Sequence, residues 1–256
     1  MAQITALHRS NQPGSAQSER ETRIALAACY RLIAHFGMDD LIYTHISARV
    51  PGEPGHFLIN PFGMMFHEIT ASSLVKIDHE GAVVEDSPYP VNKAGFVIHS
   101  AVHMARPEVS CVLHTHTRAG VAVSCLEEGL LHINQHSAMF TDRVAYHDYE
   151  GIALDLDERS RLVRDLGDKP AMVLRNHGLL TAGHSVQEAF VTMYYLEQSC
   201  RIQIDLMATG RKLTRLSDNV ARHTAQQFAE SPTPCGEREW PALTRLLDAK
   251  DPSYRN

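Results

Sequence analysis

The sequence predicts an α/β domain. Short apolar runs of strand length alternate with stretches of helical periodicity. No internal repeat and no mid-chain linker interrupts them, and 256 residues with 44% hydrophobic content suffice for one sizeable core.

The elements follow in chain order. The first 18 residues are polar and predict a flexible lead-in. ERETRIALAACYRLIAHFG places Ile24, Ala27, Ala28 and Leu32 on one helical face, with Gly37 as the stop. HISARV and HFLIN predict strands around the turn PGEPG. TASSLVKIDHEGAVVE predicts a short capped helix, a strand, a turn at His79-Glu80-Gly81 and a further strand. NKAGFVIHSAVHMA predicts a helix closed by Arg106-Pro107. CVLHTH predicts a strand and RAGVAVSCL a helix; VAYHDY and AMVLRN predict strands with the helix LDERSRLVRDLG between them. GLLTAG predicts a strand, and SVQEAFVTMYYLEQSCRIQIDLMATG a long helix with Tyr194, Tyr195 and Leu196 in its core. Residues 216–256 predict a polar tail with two helical stretches, so the chain divides into 1–18, 19–215 and 216–256.

Composition narrows the function. The formal charge is −6 with no Lys/Arg block, which argues against nucleic-acid and membrane-surface partners. Five widely spaced cysteines without a CxxC pair predict reduced thiols and a cytoplasmic protein. No signal core and no membrane-length apolar run occurs.

Sixteen histidines are the unusual feature. In SCVLHTHTRAG, His114 and His116 stand two residues apart at a strand end, and side chains at that spacing share a face. Neutral imidazoles are ligands for zinc and other divalent metals. In VLRNHGLL, His177 follows another apolar run and supplies a third candidate ligand, which would leave a coordination position open for substrate.

HTH followed by RNHG resembles the class II aldolase/adducin family. The resemblance runs from ETRIALAACYRLIAHFG through INPFGMMFHEITASSLVKID and NKAGFVIHSAVHMARPEVSCVLHTHT to LRNHGLLTAGHSVQEAF, and it is nearest to adducin heads and their stand-alone bacterial relatives. It implies a three-layer α/β/α fold with a largely antiparallel central sheet, a homotetramer with active sites near subunit boundaries, and metal ligation by His114, His116 and His177.

The departures from that family change the expected substrate. The aldolases' catalytic Glu position, nineteen residues before His114, is Gly95. Their phosphate-pocket positions are His45, Phe62 and Lys93-Ala94. Gly cannot act as a general base, whereas Lys93 suits a carboxylate and Phe62 a ring. His136 lies near the position of the aldolases' Tyr proton donor, which reaches a neighbouring subunit's site. The expectation is a divalent-metal-dependent lyase, a decarboxylase or retro-aldol enzyme, acting on a small carboxylated cyclic or aromatic hydroxy or keto acid. Zinc is the favoured ion, with manganese and iron as alternatives. The competing readings are a non-catalytic adducin-like assembly module and a sugar-phosphate aldolase. His99 and His103 are expected to pack or to orient the ligand histidines, Arg49 and Arg175 to be ion-paired, and YHDYEG (146–151) to be structural.

Overall fold

A computed structural model describes residues 18–151 and 158–256, with the backbone alone at 93–95 and 158. The expected lead-in thus lies outside the described residues except for Ser18. Ser18 caps the first helix, α1 (Glu19–His35): its hydroxyl accepts from the Glu21 N–H, and the Glu21 carboxylate accepts from the Ser18 N–H at 2.7 Å. This pairs amide groups that a helix start otherwise leaves open. Gly37 ends the helix at φ +63°, a conformation glycine adopts without steric cost.

The remaining elements are β1 (His45–Arg49), β2 (Phe57–Ile59), β3 (Val75–Ile77), α2 (Lys93–Ala105), β4 (Cys111–Thr115), α3 (Arg118–Ser124) and α4 (Gln135–Ala138). Then come β5 (Val144–His147), α5 (Glu158–Leu166), β6 (Ala171–Leu174), β7 (Gly178–Gly183), α6 (Val186–Ala208), α7 (Asp218–Ala229) and α8 (Glu239–Lys250). The seven strands form one sheet in the order β3-β2-β1-β4-β7-β6-β5. Every neighbouring pair is antiparallel except β5 and β6, so the sheet is largely antiparallel as expected.

Strand alternation builds three layers. Ile46, Cys111, Leu113, Val173 and Leu179 point to one face and join the buried residues of α1 and α6. Val112, Met172, Leu174 and Leu180 point to the other and pack on Ile98 and Val102 of α2 and Leu162 and Leu166 of α5. The same parity sends His45, Ser47 and His114 toward α2, because His45 pairs with His114 and Ser47 with Val112.

Two expected elements are absent between β2 and α2. The short capped helix is a turn, in which Ser73 Oγ donates to the Thr70 carbonyl and Ser73 N–H to Thr70 Oγ1. Here the Ser and Thr side chains take the bonds a helix would need. The strand expected after His79-Glu80-Gly81 reduces to a bridge between Ile77 and Val83. The Lys76 N–H that would continue the ladder donates instead to the Glu85 carboxylate at 2.9 Å.

The C-terminal segment returns to the core. Arg31 of α1 bonds Asp251 and Ser253, the Ala71 N–H donates to the Tyr254 carbonyl, and the Tyr254 side chain is fully buried. Among the described residues no helix is long and apolar enough to cross a membrane.

Candidate metal centre

Adjacent antiparallel strands β4 and β7 create the site. His114 is the fourth residue of β4, Thr115 ends it, and His116 follows on the same face. The connection between β6 and β7 is only Arg175, Asn176 and His177. Asn176 sits at φ +56°, which a short Asn side chain tolerates, and the His177 N–H turns back onto the Leu174 carbonyl. His114 pairs with Leu180 and Thr115 with Leu179, so the next register position sets Gly178 opposite His116. His177 is thereby brought beside both histidines of β4.

The three ring nitrogens converge. His114 Nε2 lies 2.8 Å from His116 Nε2, and His116 Nε2 lies 2.9 Å from His177 Nε2. Their far sides fix the tautomers of two of them. The Leu179 carbonyl can only accept, so His114 Nδ1, at 2.8 Å, carries the proton. The Asp40 carboxylate does the same for His116 Nδ1 at 3.1 Å. Both Nε2 atoms then present lone pairs to each other, with no proton to share between them. Burial, with neighbouring histidines adding to it, holds His114 well below the ordinary imidazole range and His177 down to about 4. These are neutral donors facing a common point. A tetrahedral ion about 2.1 Å from each would set such nitrogens about 3.4 Å apart, so the set fits a divalent cation after a small relaxation.

Backbone strain gathers around the same place. Thr44, a buried β-branched residue, has φ +65°, and its hydroxyl has no hydrogen-bond partner among the described residues. Leu41 (φ +52°) and Asn176 complete three positive-φ positions in the loops that carry Asp40, His45 and His177. Such outliers persist where surrounding structure holds them, often at functional sites.

Residues 24–204 match the family model described as class II aldolase and adducin N-terminal domain. The chain belongs to this family. An aldolase II superfamily protein from Pseudomonas syringae shares its structure at TM-score 0.89 with 52% identity, covering 95% of this chain and 98% of that one. L-fuculose 1-phosphate aldolase from Glaciozyma antarctica follows at TM-score 0.82 and 28% identity, covering 96% and 97%. Alpha-adducin from Mus musculus is 42% identical over 91% of this chain, which spans 34% of that longer protein.

Behind the histidine cluster lies a second group that faces α2. Ser47 Oγ lies 2.8 Å from both His99 Nδ1 and His103 Nε2, and the His45 ring lies 4.6 Å from that of His99 and 6.0 Å from that of His114. His99 and His103 were expected to pack or to orient the clustered histidines. They pack: both are buried and lie within hydrogen-bond distance of Ser47, while Leu179 and Asp40 orient His114 and His116. Burial, with the Arg49 guanidinium adding to it, holds His103 at about 3. An unfolded chain titrates it near 6.5. Between those values the unfolded state binds the proton and the folded state does not, so stability falls as pH drops below about 6.5. This one residue contributes roughly 1.4 kcal/mol per pH unit. His103→Leu should flatten the pH dependence of urea unfolding of metal-free protein by about one proton between about pH 4 and 6. An unchanged slope would show that His103 is protonated in the fold.

The other expected residues are distributed unevenly. Phe62 is half-buried, with its ring 6.3 Å from that of Tyr43, in the loop where Asp40 bridges Tyr43. The Tyr149 ring lies 6.2 Å from that of His177. Lys93 opens α2, and its side chain, like those of Ala94 and Gly95, lies outside the described residues. Within its own chain His136 is not brought to the cluster; its ring lies tilted against that of Tyr195 in the wall of a separate cavity. Tyr194 and Tyr195 are only partly buried, and Leu196 alone of that run is core. Arg49 and Arg175, expected to be ion-paired, donate to the carbonyls of His103 and Leu126 and lie over the Phe57 and Tyr146 rings. Asp40 escaped the sequence reading, as did Glu197. The buried Glu197 carboxylate accepts from Thr117, next to His116, and from Arg201 at 2.6 Å, tying the end of β4 to α6.

Proposed function

We propose that this class II aldolase-family chain is a divalent-metal-dependent carbon–carbon lyase acting on a small carboxylated substrate with a cyclic or aromatic body. The convergence of three Nε2 atoms, two of them fixed as acceptors by Leu179 and Asp40, carries this reading. His114, His116 and His177 would hold the ion, with zinc favoured by three neutral imidazoles. A bound divalent ion supplies positive charge beside a substrate oxygen, favouring the negative charge left when a carbon–carbon bond breaks.

The chain's own residues select the substrate. Gly95 leaves no carboxylate at the aldolase position to remove a C–H proton. A decarboxylation begins instead with release of carbon dioxide and then needs a proton on carbon. Tyr149, exposed and with its ring centroid 6.2 Å from that of His177, would deliver it. Tyr43 and Phe62 offer rings to a flat body, and Lys93 at the start of α2 offers a charge to its carboxylate. A homotetramer belongs to the same reading, and a monomer mass by light scattering would remove it.

A non-catalytic module is the second reading. It is favoured by Gly95 and by 42% identity to alpha-adducin against 28% to the fuculose-phosphate aldolase. The deciding experiment is a screen of zinc- and manganese-loaded protein against hydroxylated aromatic acids and L-fuculose 1-phosphate. Turnover of an aromatic acid supports the lyase, efficient cleavage of the sugar phosphate defeats the argument from Gly95, and inertness toward both favours the module.

Asp40 provides a separate check on the metal reading. Its carboxylate fixes the His116 ring and makes Nε2 more basic. Asp40→Ala should weaken zinc binding about 10–100-fold in a competition titration with a chromophoric chelator, and Asp40→Asn, which still accepts from Nδ1, should weaken it less. Equal affinity in all three proteins would sink the assignment.

A further inference from the structure

A cavity of about 560 Å³ lies between α4, α6 and the segment after α7. Its lining includes none of the three clustered histidines. One wall, from Phe228 to Glu239, comes from beyond the last residue matched by the family model, so the C-terminal segment builds this cavity onto the family domain.

The arginines show what the cavity is made to receive. Seven other partly buried arginines, Arg23, Arg31, Arg49, Arg106, Arg161, Arg175 and Arg201, each reach a carbonyl or a carboxylate, and the Nε of an eighth, Arg159, is buried outside this cavity without a hydrogen-bond partner among the described residues. Arg143 is also partly buried and lines the cavity, yet its guanidinium has no hydrogen-bonding or ion-pair partner among the described residues. A guanidinium in a cavity wall without a partner of its own favours an anion. The nearby Glu188 does not serve it, because its carboxylate already accepts from the His184 backbone N–H and lies 2.9 Å from His184 Nδ1. Part of the remaining lining is apolar or aromatic. Phe140 and Val191 are buried, and His136 lies against Tyr195 with ring centroids 5.3 Å apart and planes 35° apart. Arg238, which donates to Thr233, adds a second positive charge to the lining; Glu188 and Glu239 offset the two arginines, which disfavours a doubly charged ligand such as phosphate relative to a monocarboxylate.

We propose that this cavity binds a small organic monocarboxylate, its carboxylate on Arg143 and its apolar or aromatic body against Phe140, Val191 and Tyr195. The volume is within the range of small-molecule sites. Within one chain the site is separate from the histidine cluster, and it needs no metal.

The test uses metal-free full-length protein, alone and as the His114→Ala variant, so that the histidine cluster contributes nothing. Benzoate, cyclohexanecarboxylate, benzamide and inorganic phosphate are titrated calorimetrically. In parallel, alkylation of Cys235 by iodoacetamide is followed by peptide mapping, because Cys235 lines the cavity while Cys125, also exposed, does not. Both carboxylates should bind wild type and His114→Ala equally, and benzamide and phosphate much more weakly. Benzoate should slow alkylation of Cys235 and leave Cys125 unchanged. Arg143→Gln should lower benzoate affinity about tenfold or more with an unchanged melting temperature, and Arg143→Lys should fall between the two. Three results would overturn the proposal: no heat and no protection up to about 10 mM benzoate, undiminished binding by Arg143→Gln, or Cys235 protection that rises with protein concentration without ligand. The last would mean that a second copy of the chain covers this face.

Discussion

Replacing His114 by alanine should take bound divalent metal from about one ion per chain to none while the chain stays folded. His114 is the most deeply placed of the three histidines, 3% exposed, and the Leu179 carbonyl fixes its ring. Without it, His116 and His177 remain 2.9 Å apart by their Nε2 atoms. Two exposed-side ligands hold an ion far more weakly than three. The structural cost is small by comparison. The Leu179 carbonyl loses one donor, worth about 1 kcal/mol, and alanine fits a strand whose neighbours on β1 and β7 are unchanged. The melting temperature of metal-free protein should fall by only roughly 2–4 °C. Metal analysis of protein purified without chelator or affinity histidines reads the result, with His79→Ala, which removes an exposed histidine, as control. A full equivalent of metal on the His114→Ala protein would place the ion elsewhere.

The histidine cluster was legible in the sequence because each part obeys a local rule. His114 and His116 are separated by one residue at the end of an apolar strand, so their faces agree. His177 sits in a three-residue connection announced by Asn176 and Gly178. Asp40 obeys no such rule. It is 76 residues from His116 in sequence, in a loop with no periodicity, and only the pairing of β1 with β4 brings that loop to the site. His99 and His103 were legible as a pair one helical turn apart, but their shared partner Ser47 lies on β1, about 50 residues earlier in the chain. The turn at Thr70 and the missing strand after Gly81 failed for another reason. There side chains, Ser73 and Glu85, take backbone bonds that periodicity assigns to helix or sheet. His136 was placed by family resemblance, and the C-terminal segment that closes the cavity around it carries no signal of that packing in its own composition.

Gly178→Ala should damage both the fold and the metal centre. No unusual backbone angle is involved; the constraint is space. A Cβ at this position would lie 2.3 Å from the Thr115 carbonyl oxygen, 3.3 Å from His116 Cδ2 and 3.4 Å from His114 Cε1. The first contact is with backbone, so no rotamer change relieves it. β4 and β7 would have to part by about 1 Å at the point where one carries two histidines and the other follows the third. The cost is about 3 kcal/mol of overpacking, a fall of roughly 6–12 °C in melting temperature for a chain of this size. The same displacement moves His177 relative to His114 and His116, so the affinity for zinc should drop about tenfold or more, beyond what the loss of stability explains. Thermal unfolding of metal-free protein and zinc titration of the folded variant separate the two effects. A melting temperature within about 1 °C of wild type, with zinc affinity unchanged, would show that β4 and β7 have slack at this point and that glycine is not what brings the three histidines together.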